Sequence, residues 1–97
     1  MAKRLTSVFT DDLDHCFFTG TAPVERHHIY PASNKTLSEQ YGFIVPLRPD
    51  LHPNGAQADI RYAKQIDTYL KQMAQRYFEE HYGSRAKFVQ LFGRNYL

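Results

Sequence analysis

The sequence contains no tryptophan and only one cysteine, Cys16. A single thiol excludes an intrachain disulfide, and the expected setting is a reducing compartment. No apolar run approaches the roughly 20 residues that cross a bilayer, which excludes a helical membrane span. The amino-terminal stretch also lacks the apolar core of a signal peptide, so the expected location is the cytoplasm. Charge of one sign is scarce as well. Twelve Lys and Arg against ten Asp and Glu give a formal net charge of +2, too weak a tilt for a dedicated DNA-coating protein. Repeats, linkers and low-complexity tracts are absent.

What is present suits one domain spanning residues 1–97, a length at which a chain buries a core without disulfide staples. Seven Phe and seven Tyr supply the bulky surface for that core. The first fourteen residues, with Lys3, Arg4, Leu5, Val8 and Phe9 before Asp11, Asp12 and Asp14, predict at most a short strand and an acidic turn. His15–Gly20 reads as a strand entering a turn, and Arg26–Tyr30 as a second strand. Pro31–Ser38 reads as a loop, followed by a helical turn that Gly42 closes. Phe43–Leu47 reads as a strand that Pro46, lacking a backbone donor, confines to an edge.

Residues 59–81 carry the strongest periodicity. Ile60, Ala63, Ile66, Leu70, Met73, Ala74, Tyr77 and Phe78 recur at spacings of three and four, which predicts an amphipathic helix capped by Asp59 and stopped by Gly83. Ser84 can cap a short last helix carrying Phe88, Val89, Leu91 and Phe92. The fold class is therefore α+β, with short strands, a long amphipathic helix and a short C-terminal helix.

Five histidines in so short a chain direct attention to chemistry, because neutral imidazole is both a common metal ligand and a general base near neutral pH. His27 and His28 are adjacent on a predicted strand, where neighbouring side chains point to opposite faces. His52 arrives at the end of the following strand, directly before the long helix. Two strands and a helix converging on histidines form a ββα-metal arrangement.

Through Cys16-Phe17-Phe18-Thr19-Gly20, His27-His28-Ile29, Leu37 to Phe43, Leu47 to His52 and Phe92 to Leu97, residues 15–97 resemble the HNH (ββα-metal) nuclease superfamily. Within it, the chain resembles the small HNH-like proteins of bacteriophages. The resemblance implies a divalent metal ion (Zn, Mg or Mn), with His27 and His52 as ligands, His28 as general base and Asn34 holding the loop. The implied activity is a metal-dependent DNA endonuclease or nicking enzyme of a phage or mobile element, working in the host cytoplasm. Lys35, Arg48, Arg61 and Arg94 are candidates to contact DNA phosphates.

Two departures from the family pattern matter. Many HNH domains hold a structural zinc through two Cys-x-x-Cys pairs, but here those positions are Cys16 with Thr19 and Arg48 with Leu51. Cys16 beside His15 leaves a mixed zinc site open, whereas a lone cysteine otherwise reads as a small buried hydrophobe. Arg61 stands where related phage proteins carry a histidine at the start of the long helix, and a guanidinium cannot ligate a cation. These departures suit the alternative function, a non-cutting HNH-like metalloprotein that binds a host nuclease or CRISPR effector.

Overall fold

A computed structural model describes residues 5–97. Two short antiparallel strands and three helices form a small α+β fold. In chain order these are β1 (Glu25–His28), α1 (Lys35–Tyr41), β2 (Ile44–Leu47), α2 (Ile60–His81) and α3 (Arg85–Phe92). Single turns of 3₁₀ helix occupy Ala32–Asn34 and Pro49–Leu51. In the register Glu25 faces Leu47, Arg26 faces Pro46, His27 faces Val45 and His28 faces Ile44.

The expected strand at His15–Gly20 is instead a turn. Gly20 N–H donates to the Cys16 carbonyl at 2.8 Å, and Gly20 takes a φ of 72°, a curl that glycine accommodates and an extended strand does not. The turn still meets the sheet, because Phe17 N–H donates to the Pro46 carbonyl. Pro46 thus lies on the outer side of β2, where its missing N–H deprives no partner strand. No strand forms between Leu5 and Asp14; Val8 N–H donates to the Gly42 carbonyl, and Phe9 stacks on Phe43. Lys3 and Arg4, which contributed to that expectation, lie outside the described residues.

The predicted loop at Pro31–Ser38 is shorter than expected, since α1 already starts at Lys35. Ser38 draws the helix in. Its hydroxyl accepts from Tyr30 N–H at 3.0 Å and donates to the Tyr30 carbonyl at 2.8 Å, in a fully buried position. Gly42, at φ 73°, ends α1 and turns the chain into β2.

The long helix matches its periodicity closely. Asp59 caps it by accepting from Arg61 N–H, and Leu70, Ala74 and Phe78 are fully buried. Ile60 is the exception in the stripe, 89% exposed on the first turn, where no neighbouring element covers it. Gly83 follows the helix end without a left-handed conformation, its N–H still reaching the Phe78 carbonyl. Ser84 caps α3 by accepting from Lys87 N–H.

The core lies between the sheet, α2 and α3, where Tyr30, Phe43, Phe78, Phe88 and Phe92 are each 3% exposed or less. Tyr30 donates its phenol proton to the Lys71 carbonyl. Buried Gln75 fastens the chain beyond α3: its Nε2 donates to Glu79 Oε2 and Asn95 Oδ1, and its Oε1 accepts from Tyr96 N–H, all at 2.8 Å.

Candidate functional site

The period-two alternation of β1 puts Glu25 and His27 on one side of the strand and Arg26 and His28 on the other. Glu25 and His27 meet His52, which arrives from the turn after β2. The His27 and His52 rings make an edge contact at 4.8 Å between centroids. His52 Nδ1–H donates to Glu25 Oε1 at 2.5 Å. A carboxylate can only accept, so the proton of this bond resides on Nδ1, and it is the neutral ring with that tautomer that carries its lone pair on Nε2. This is the outer-sphere partnership that metal-ligating histidines commonly make.

The pair fits together because position 55 is glycine. A Cβ there would stand 2.8 Å from Glu25 Oε1 and 2.9 Å from His52 Nδ1. The Pro53-Asn54-Gly55 turn therefore permits the Glu25–His52 contact as well as reversing the chain, with Gly55 N–H donating to the His52 carbonyl.

His27 is 1% exposed, and its Nε2 has no hydrogen-bond partner. Burial first, then repulsion from His52, His28 and Lys71, holds its pKa down to about 3. The imidazole is therefore neutral at ordinary pH, the form that can donate a lone pair. His28 Nε2 lies 3.3 Å from Glu39 Oε2 but is misaligned for a hydrogen bond, leaving a second buried imidazole nitrogen unsatisfied. Although they alternate along β1, both histidines line one cleft of about 240 Å³, together with His52, Arg26, Lys35 and Asn54.

Unsatisfied imidazole nitrogens at His27 and His28, with His52 turned by Glu25, are donor chemistry that suits zinc better than magnesium. The fit is to a cation held by two imidazoles, His27 and His52. No group of three His, Cys, Asp or Glu side chains with metal-binding spacing occurs among the described residues.

The other expected site residues lie elsewhere. Asn34 Nδ2–H donates to the Phe92 carbonyl at 2.9 Å, tying the turn before α1 to the end of α3. Cys16 is buried outside the histidine cleft. Burial pushes its thiol up, but hydrogen bonds from Thr19 and from backbone N–H groups of Arg48, Phe18 and Thr19 outweigh this and leave its pKa below the ordinary value. The Cys16–Thr19 and Arg48–Leu51 turns are thus adjacent, without the thiolates of a four-cysteine zinc site. Arg48 donates from Nε and Nη2 to Asp50, and Arg61 from the same two nitrogens to Asp59. Arg94 lies over the Tyr96 ring, and among the expected cations Lys35 alone lines the cleft.

Sequence reasoning did not find Glu25, Arg26, Glu39 or Gly55. Glu25 had a readable signal, since it stands two residues before His27 and so shares its strand face. Comparison with known proteins found no matching family description, curated protein or solved structure.

Proposed function

We propose that this protein is a metal-dependent phosphodiesterase acting on DNA, an HNH-like nicking or cleaving enzyme of a phage or mobile element. The observation that carries the reading is the buried, neutral His27 with an unpartnered Nε2, facing a cleft shared with His28 and a Glu25-oriented His52. A divalent ion held by His27 and His52 would supply Lewis acidity to a phosphodiester. The rest of the work falls to the chain. His28, with the Glu39 carboxylate 3.3 Å from its Nε2, takes the proton of the attacking water. Lys35 lines the cleft and gives a phosphate a cationic neighbour; Arg26 lines it too, but is paired with Asp14. The adjacency of the Cys16–Thr19 and Arg48–Leu51 turns supports the HNH-like reading, because these segments hold the positions of the paired cysteines in zinc-bearing relatives.

A second reading is favoured by Arg61. Where the resemblance expects an imidazole, this chain has a guanidinium bound to Asp59, as a protein-binding descendant that no longer cuts would have. The two readings separate in a plasmid-nicking assay with Mg²⁺, Mn²⁺ and Zn²⁺, run beside elemental analysis. The nuclease reading expects metal in the wild type, less metal in His27→Ala and His52→Ala, and cleavage reduced about 10²- to 10⁴-fold in His28→Ala with the metal retained. A folded wild type that nicks no DNA with any of the three ions would transfer the case to the protein-binding reading.

A further inference from the structure

Arg26, which lines the histidine cleft, is committed to Asp14, and Arg48 and Arg61, outside it, to Asp50 and Asp59. On another flank of α2 the balance differs. Lys64, Thr68 and Lys71 recur there at helical spacing and, with Asp67, Arg94 and Tyr96, line a half-enclosed cavity of about 310 Å³. Asp67 is its one acidic side chain, bound to Lys71 at 2.9 Å, and Asn95 and the last residue, Leu97, complete the lining. Among the described residues, Lys64 and Arg94 have no carboxylate within salt-bridge distance. Lys71 and Arg94 both sit over the Tyr96 ring, at 5.5 and 4.9 Å from its centroid, so the ring holds two cations beside the same cavity.

Like charges gathered in a concavity, with a threonine hydroxyl beside them, are chemistry that an anion satisfies. The cavity also has an aromatic neighbour. Lys64 and Thr68 line an adjoining depression with Tyr69, a residue 55% exposed. Phosphate-binding cations next to a half-exposed aromatic ring are the parts from which strand-tracking surfaces are built.

We infer that the cavity between α2 and the segment after α3 is a phosphodiester-binding site for a nucleic-acid strand, separate from the histidine cleft, with Tyr69 as the stacking face for an adjoining base. The choice of nucleic acid rests on the proposed phosphodiesterase activity; the anion site itself rests on Lys64, Lys71 and Arg94.

The test is binding without turnover. Fluorescence anisotropy would follow labelled single-stranded and duplex oligonucleotides of about twelve nucleotides, with no metal added and across a salt titration. Lys64→Gln/Arg94→Gln removes two exposed charges that no described carboxylate holds, and circular dichroism should confirm its fold. The double variant should bind at least about tenfold more weakly. Its slope of log K against log salt should be shallower by about 1.4 to 1.8, the release expected for two phosphate contacts. Tyr69→Ala should weaken the single strand more than the duplex. Unchanged affinity and slope in the double variant, or a wild type that binds neither form, would overturn the site. A chain that nicks no DNA yet shows these binding losses would sink the activity and leave the site standing. One that nicks DNA with the double variant's binding unaltered would do the reverse.

Discussion

His27 links acidity to stability. Its imidazole is buried and neutral in the fold, with a pKa of about 3, but titrates near 6.5 once the chain unfolds. Between those values the unfolded chain binds more protons, so stability falls as pH drops from about 6.5 toward 3, by up to about 1.4 kcal/mol per unit. Urea melts at stepped pH should show this slope, and His27→Gln should flatten it; an unchanged slope in that variant would assign the effect to other groups. Gly55 makes a second residue-scale test. Gly55→Ala should separate Glu25 from His52, seen as a change in the His52 ring signals by NMR and as weaker metal retention, while the core stays intact. The histidines were legible because their residue type carries the chemistry. Glu25 was legible only as a neighbour of His27 on one strand face; its pairing with His52, and the need for glycine at position 55, arise only when the turn after β2 folds back onto β1.

Among the elements, α2 was the most readable. A spacing of three and four over more than twenty residues leaves little choice of structure or phase, and Leu70 is fully buried where the stripe put it. Leu70→Ala should therefore cost about 2 to 5 kcal/mol in denaturant unfolding. A near-zero change would mean that the site collapses freely around the smaller side chain. Asp59→Ala should remove about 0.5 to 2 kcal/mol through the lost cap, and would also free Arg61 from its carboxylate. Short elements were less legible. Aromatic content made His15–Gly20 look extended, but the positive φ at Gly20 and the hydrogen bonds around Cys16 favour a turn. At Lys35–Ser38 polar composition suggested a loop, whereas buried Ser38 binds the Tyr30 backbone and extends the helix.

At the scale of the whole molecule, two four-residue strands cannot stand alone. They are held by the aromatic core beneath them, so the histidine cleft depends on residues remote from it. Phe88→Ala, in the last helix, should cost about 3 to 5 kcal/mol and shift the ring signals of His27 and His52 even where the protein remains folded. That global dependence could not be read from spacing, because it joins the two strands to the last helix, segments far apart in the sequence.

The buried Gln75 amide places a constraint of another kind, on inheritance. Its donors and its acceptor are all matched, two of its partners being Asn95 and the backbone of Tyr96. A glutamate there would be nearly the same size, yet it would replace the donor and set an acceptor against Asn95 Oδ1 and Glu79. Positions 75 and 95 should therefore drift as a pair. In a library randomised at both, surviving sequences should show linked choices, and a change at one position should narrow what the other accepts.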